Sequence, residues 1–244
     1  MNYYRNDSCD SKSASLGNWN FKALAPKELQ SHMERSIPGY KEGHRLITKL
    51  SNYFIQADSR VYDMGCGPGD LLKSLSFEHI EKPSIRLIGV DPYIREYPEF
   101  YYNERFSQLS HKIEFIGDFC QKIKLIPCDI VIFYYTLQFI PLHIRSTVLE
   151  KSISALRPGG VIFIFEKTYA QNSRNEEILS RIYTDYKIEQ DFSSEEIVSK
   201  MFSLVGKLVP NTSAKNISML NKLGINNIEI IYKKLAFEGL MGIK

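Results

Sequence analysis

The sequence predicts an α/β fold built on a parallel, doubly wound sheet. Two observations predict it. Short apolar strands alternate with helical stretches across the first two thirds of the chain, and alternation of that kind packs helices on both faces of a parallel sheet. A loop with glycine at every second position, Gly65-Cys66-Gly67-Pro68-Gly69, joins the first strand to its helix.

The strands are read in order. Val61 to Met64 is the first, and Ile85 to Val90 is the second, broken only by Arg86. Ile113 to Ile116 is the third and Asp129 to Tyr135 the fourth. Arg157-Pro158-Gly159-Gly160 stops a helix and feeds the fifth, Val161 to Phe165. From Gly43 to Phe54 the apolar residues Leu46, Ile47, Leu50, Tyr53 and Phe54 recur at three and four, a helix before the first strand. Helices are expected after strands one (Leu71 to Phe77), two (Ile94 to Leu109) and four (Pro141 to Leu156). Beyond Glu166 the pattern changes to two helical stretches over Asn175 to Val205, then a helix from Thr212 to Leu223 closed by Gly224. Ile228 to Leu235 and Gly239 to Ile243 form a terminal hairpin-like pair. Before the first strand, Trp19 and Phe21 start an apolar anchor and Pro26 to Arg35 reads as a short helix, an arrangement able to cover the site as a lid.

Length suits one domain with a lid or insertion. The expected organisation is a flexible, Ser/Asn/Asp-rich tail over 1–16 and a single domain over 17–244, with a lid at 17–42 and a helical insertion at 168–210. The insertion reads either as a cover for the sheet edge or as a substrate wall or homodimer contact. A net charge of +3 is too slight to imply nucleic acid by itself, and small-molecule substrates or a modest basic patch both remain open; with no basic tail and no appended RNA-binding module, a small-molecule substrate is the expected partner. No apolar run spans a bilayer, and no charged-then-apolar leader opens the chain. Cys9, Cys66, Cys120 and Cys128 form no C-x-x-C pair and no zinc-spaced cluster, so no metal is expected. Reduced thiols and a cytoplasmic location fit best.

The glycine loop narrows the ligand. Glycines let backbone approach a ligand closely, and the helix that follows offers unpaired N–H groups and a positive dipole end. A Walker loop ends Gly-Lys-Ser/Thr, whereas this one ends Gly69-Asp70. A dinucleotide fingerprint puts its third glycine where Asp70 stands, and an acid there would repel a pyrophosphate. What fits is a ligand with a ribose and an amino acid but no phosphate, as in S-adenosylmethionine (SAM). Asp91, at the end of strand two and about 20 residues on, is placed to take both ribose hydroxyls. Asp118 is placed to accept from an adenine amino group, with Phe119 against the ring. Tyr40 is read either as reaching the methionine carboxylate or as a packed loop tyrosine. Asp63, in the strand feeding the loop, joins the cofactor-binding set. Tyr134 and Tyr135 end strand four, where the transferred group should point, and strand alternation turns one of them to the core. Tyr134 is the expected catalytic and sulfonium-facing residue, through cation–π contact or by orienting the acceptor. His143 and Glu166 are weak candidates for a base, and His44 is expected to face solvent.

Taken in order, these signals resemble a class I SAM-dependent methyltransferase. That resemblance implies a Rossmann-like, doubly wound, seven-stranded sheet, mostly parallel with one antiparallel strand. Trp19-Asn20-Phe21, Arg35-Ser36-Ile37-Pro38-Gly39-Tyr40, Thr136-Leu137-Gln138-Phe139, Arg157-Pro158-Gly159-Gly160 and Glu166-Lys167 further resemble the carboxy-SAM synthase subgroup, as do Ser194, Glu196, Ile197 and Lys200. The resemblance implies SAM contacts at Tyr40, Gly65, Cys66, Gly67, Asp91, Pro92, Asp118 and Phe119, and prephenate as carboxyl source. Two positions depart from the pattern. Tyr134 replaces an asparagine, and Met201 replaces the arginine that pairs with the extra carboxylate. The leading expectation is therefore a SAM-dependent methyltransferase acting on a small molecule, with Tyr135 and Met201 lining the acceptor pocket. The alternatives are another SAM-consuming reaction, either carboxy-SAM synthesis or cyclisation releasing methylthioadenosine, and a non-catalytic SAM-binding protein.

Overall fold

The computed structural model describes residues 17, 19–21, 24–102, 111 and 113–244. The expected tail over 1–16 and the end of the helix expected to reach Leu109 lie outside them.

Among the described residues, eight strands form the sheet: β1 (Arg60–Met64), β2 (Arg86–Val90), β3 (Ile113–Ile116), β4 (Cys128–Tyr134), β5 (Leu156–Tyr169), β6 (Asn211–Thr212), β7 (Asn227–Lys234) and β8 (Phe237–Ile243). Seven lie on one continuous path in the order β3-β2-β1-β4-β5-β8-β7, and the two-residue β6 pairs with the far end of β5. The pairs linking β3 through β5 are all parallel, and β8 runs antiparallel to both of its neighbours. That is the predicted mostly parallel sheet with one reversed strand. β6 was not foreseen, because two residues carry no period.

The strand order reverses between β1 and β4, and ligands of open α/β sheets sit beyond the strand ends at such a crossing. Alternation along β1 directs Val61 into one apolar layer, and Tyr62 and Met64 into the other. Asp63 therefore shares the Val61 face, which is covered by α2 (Tyr40–Leu50) and α3 (Asp70–Glu78) through Ile47, Leu71, Leu72 and Leu75. The opposite layer is closed by α5 (Leu142–Ala155), numbering Pro98–Tyr101 as α4, through Val148, Leu149 and Ile153.

The helix before the first strand begins earlier than its apolar period suggests. Gly39, in the left-handed region at φ 74°, is its N-cap, and a 3₁₀ turn over Ser51–Tyr53 follows it. After β2 the chain makes a 3₁₀ turn at Pro92–Arg95 and the short α4 instead of one continuous helix, because Pro98 interrupts it. The insertion carries α6 (Ser173–Glu189) and α7 (Ser194–Leu204). Asn172 caps the first, and a reciprocal Ser193–Glu196 capping box starts the second. α8 (Ser213–Lys222) precedes the final hairpin.

The segment before the sheet, including α1 (Pro26–Ser36), is seated by named contacts. The Gly17 and Trp19 N–H groups donate to the Phe202 and Ser203 carbonyls, both at 3.0 Å. Phe21 meets Phe139 edge-on at 4.9 Å, and the Tyr183 hydroxyl donates to the Ser36 carbonyl at 2.8 Å. Among the described residues, no helix is long and apolar enough to cross a membrane, and no cluster of His, Cys, Asp or Glu could hold a metal.

Candidate functional site

The glycine corner holds its shape by left-handed backbone. Gly65, Gly67 and Gly69 have φ of 86°, 49° and 80°. The first two differ in what surrounds them. A Cβ on Gly65 would lie 2.3 Å from the Thr136 hydroxyl, so that glycine exists to let the turn after β4 press close. A Cβ on Gly67 would meet only Met33 Cε at 3.7 Å, so Gly67 presents bare backbone to open space. The Tyr101 hydroxyl fixes the corner from outside by donating to the Gly67 carbonyl at 2.6 Å. Cys66 is buried with its thiol turned toward Gly89, and burial pushes that thiol up. Its backbone, not its sulfur, is what a ligand can meet.

Two acids stand behind the corner. Asp91 Oδ2 accepts the Gly67 N–H at 3.0 Å, and Oδ1 accepts the Tyr93 N–H at 2.8 Å. Burial raises this carboxyl, and the two backbone N–H groups pull it back down. Each oxygen keeps a further lone pair. Pro92 opens the 3₁₀ turn that carries Tyr93, so it sets the angle at which Asp91 leaves the sheet. Asp63 is fully enclosed, and burial with Asp91 nearby pushes it up to about 8. Its Oδ1 has no protein partner. Two neighbouring acids, one of them orphaned, suit a ligand that is cationic and rich in hydroxyls. Open backbone at Gly67 and the orphan Asp63 oxygen therefore fit an adenosyl amino acid.

Asp118 sits at the rim. It accepts the Phe119 N–H at 2.8 Å and pairs with Arg95 at 3.1 Å, and Phe119 is 47% exposed. Both lie beyond the C-terminal end of β3, as expected, with the Phe119 face open apart from Lys122 at 5.3 Å.

The opposite wall is a ring cluster. Tyr40 meets Tyr134 at 5.2 Å and His44 at 4.6 Å, and Tyr134 meets Tyr135 at 4.7 Å over Phe165. The Tyr40 hydroxyl points to Met33 Sδ at 3.8 Å, and burial with Asp70 and Asp63 nearby raises it well above its ordinary value. Tyr134 donates to the Tyr40 carbonyl at 2.5 Å, and its hydroxyl fills the space beside Gly43. Tyr135 takes a left-handed φ of 59°, and its buried hydroxyl has no partner.

His44 corrects the sequence reading. It is half-buried, with its ring packed on this cluster, because the helix starts one turn early and stacks His44 on Tyr40. Burial pushes its imidazole down to about 3, so it stays neutral. Glu166 pairs with neither Lys167 nor Arg181. It accepts the Leu137 and Gln138 N–H groups at 2.8 and 3.0 Å, and burial pushes it up to about 8. His143 is exposed. Sequence reading missed Thr136 and Tyr101, whose roles come from contacts across the fold. A cavity of about 560 Å³ between α1, α2 and α3 shares Tyr40 and Asp70 with the corner but is not lined by Asp91 or Asp118.

No protein-family model matches the sequence. Among curated proteins, a carboxy-S-adenosyl-L-methionine synthase of Staphylococcus epidermidis is 31% identical over 229 residues, covering 93% of this chain and 97% of that protein. The chain belongs to the carboxy-S-adenosyl-L-methionine synthase family. As a member it is a SAM-dependent enzyme of the transferase type. A synthase of the same name from Desulfotalea psychrophila is 30% identical over 231 residues, covering 92% of this chain and 91% of its own.

Solved structures agree on the fold. A possible exported protein of Bordetella parapertussis matches with a TM-score of 0.63 at 16% identity, covering 96% of this chain and 76% of its own. A putative O-methyltransferase of Nostoc punctiforme matches with 0.56 at 14%, covering 88% of this chain, which spans 60% of that larger one. Human N-acetylserotonin methyltransferase in complex with SAM matches with 0.51 at 17%, covering 91% of this chain and 60% of its own. The two positions expected from the resemblance to depart from the pattern differ in setting. Tyr134 is buried in the ring cluster, and Met201 stands 60% exposed on α7.

Proposed function

We propose that the protein acts on SAM together with a small carboxylate co-substrate at the sulfonium end of the site; its relatives are named as synthases of carboxy-SAM. The observation that carries this reading is the pairing of open Gly67 backbone with Asp91 and the orphaned Asp63 oxygen, in a chain related over nearly its whole length to carboxy-SAM synthases. SAM supplies a methyl group already activated by sulfonium. This chain's residues do the holding. Asp91 is assigned to the ribose and Asp63 to the ammonium, with Cys66 and Gly67 contributing backbone. Asp118 and Phe119 are assigned to the adenine edge and face. Tyr40, Tyr134 and Tyr135 wall the sulfonium side and shut out water and bulky acceptors. Cation–π attraction there contributes roughly 0.5 to 2 kcal/mol.

Methyl transfer to a small acceptor is the second reading, favoured by Met201 in place of a carboxylate-pairing arginine. We further assign residues 17–42 as the lid and 168–210 as the insertion of one domain over 17–244. The insertion is proposed as a homodimer contact, since Val198, Met201, Phe202 and Val205 are each about half exposed or more on one apolar stripe. A cytoplasmic location and a small-molecule partner, without nucleic acid, complete the proposal.

Mass spectrometry of purified protein incubated with SAM and prephenate tests it. Carboxy-SAM as product supports carboxyl transfer. S-adenosylhomocysteine alone supports methyl transfer, and methylthioadenosine supports cyclisation. Intact SAM binding with none of these products would leave a binding protein.

A further inference from the structure

Glu166 is a buried acid on β5 that the proposed function leaves without a role. Its Oε1 accepts the Leu137 N–H at 2.8 Å and its Oε2 accepts the Gln138 N–H at 3.0 Å. These donors open the 3₁₀ turn Leu137–Phe139 that follows β4. Only a group with two acceptor oxygens satisfies both, since a glutamine would turn its own amide N–H toward one of them. Among the described residues, no lysine, arginine or histidine side chain pairs with this carboxylate within 4 Å. The N–H groups of the turn are what offsets the cost of enclosing it.

The turn is held at its other end as well. Buried Arg145, on α5, donates through Nη2 to the Ile140 carbonyl at 2.9 Å and to the Val209 carbonyl at 3.1 Å. Gln138 ties the middle to the sheet. Its Nε2 donates to the Tyr135 carbonyl at 3.3 Å, and its Oε1 accepts the Lys167 N–H at 3.1 Å. So short a segment, fixed along its length, cannot shift without leaving buried hydrogen bonds unmade.

The front of this turn is the cofactor corner. Thr136 is the N-cap residue, and its hydroxyl lies 3.5 Å from the Gly65 carbonyl and 3.4 Å from the Tyr134 carbonyl. A Cβ on Gly65 would meet the Thr136 side chain at 2.3 to 2.9 Å, so the two are packed without slack. At the far end Phe139 meets Phe21 edge-on at 4.9 Å, in the segment that precedes the sheet. Close-packed contacts transmit displacement, so the place of the turn is felt at the corner on one side and at Phe21 on the other.

We propose that Glu166 is a positioning residue for the bound nucleoside, acting through the turn it holds and touching no ligand itself. Its carboxylate keeps Thr136 against Gly65 and Phe139 against Phe21, so the glycine backbone is in place before the ligand arrives. The assignment rests on the SAM reading proposed above. It also removes Glu166 from the candidate bases, because backbone N–H groups engage both of its oxygens.

Calorimetry with S-adenosylhomocysteine, beside a urea melt of each variant, tests the assignment. Glu166→Gln should weaken binding by about tenfold or more in protein that the melt shows to be folded, the scale of one lost hydrogen bond to a charged group. Glu166→Asp, whose shorter side chain falls away from the turn, should act in the same direction. In a Thr136→Ala background the Glu166→Gln change should cost about threefold or less, because the path to Gly65 is already cut. A merely structural glutamate would lower the urea midpoint and leave the affinity of folded protein alone. Should neither variant fold, hydrogen exchange on the parent chain decides. Saturation with S-adenosylhomocysteine should then slow the Leu137 and Gln138 amides more than those of the β7–β8 hairpin, since coupling between sites is reciprocal. Three results overturn the proposal: Glu166→Gln binding within about threefold of the parent, an equal loss with and without Thr136, or equal slowing at the hairpin. A parent chain that binds no S-adenosylhomocysteine sinks the SAM reading and the proposal together, whereas a parent that binds and is matched by its variants sinks the proposal alone.

Discussion

Replacing Asp91 with alanine is the sharpest perturbation of the cofactor site. The carboxylate accepts the Gly67 N–H at 3.0 Å and the Tyr93 N–H at 2.8 Å, so it ties the glycine corner to the turn after β2. With SAM bound, its two oxygens are assigned the ribose hydroxyls. Hydrogen bonds to a charged group contribute about 1.5 to 3 kcal/mol each. Losing two ribose contacts should therefore weaken binding by about 3 kcal/mol or more, roughly a hundredfold at 1.4 kcal/mol per tenfold. The loosened corner adds to this loss. Asp91→Asn separates the two effects, since its amide oxygen keeps one acceptor for backbone N–H while the charge is gone. Titration calorimetry with SAM and S-adenosylhomocysteine, beside a urea melt of each variant, reads both terms. A SAM affinity for Asp91→Ala within about threefold of the parent would refute the ribose assignment.

Three further outcomes are expected. Gly65→Ala should destabilise the fold by roughly 2 to 5 kcal/mol, from left-handed strain together with overpacking on Thr136. Adding Thr136→Ala should recover the packing part in a urea double-mutant cycle. Tyr134→Phe should cost about 0.5 to 1.5 kcal/mol of stability, because it removes the second hydrogen bond on the Tyr40 carbonyl, which keeps its helical partner, while turnover of folded enzyme changes little. A large fall in kcat at unchanged stability would instead assign Tyr134 a catalytic role. Asp63 has its folded-state pKa raised to about 8, so its protonated form is favoured in the native state. Its contribution is fully present below the ordinary carboxylate range and is lost as pH rises toward 8. Asp63→Asn should flatten that decline in urea melts of the unliganded protein between about pH 4 and 8.

What was legible in the sequence was whatever the local backbone enforces. Alternating glycines before an apolar helix leave few conformations, so β1, the corner and the start of α3 could be placed to within a residue. Asp91 and Asp118 followed because strand ends carry their side chains to the same edge. His44 was misjudged because the start of α2 depends on Gly39 adopting a left-handed φ, which the apolar spacing from Leu46 onward does not reveal. The partner of Tyr134 is a backbone carbonyl 94 positions earlier, and no side-chain pattern encodes it. Lys187 was invisible for a similar reason. On a mostly polar helix one lysine looks like its neighbours, and only the folded chain shows that this one is enclosed.

The backbone bonds from Gly17 and Trp19 to α7, with the Tyr183 hydroxyl on Ser36, have a kinetic consequence. The segment before the sheet and the insertion helices are stitched edge to edge, so an opening that moved one without the other would have to break these bonds. Entry of the nucleoside and exit of the acid would then share a single opening event. A change at the seam, far from either ligand, should slow or speed both passages by the same factor.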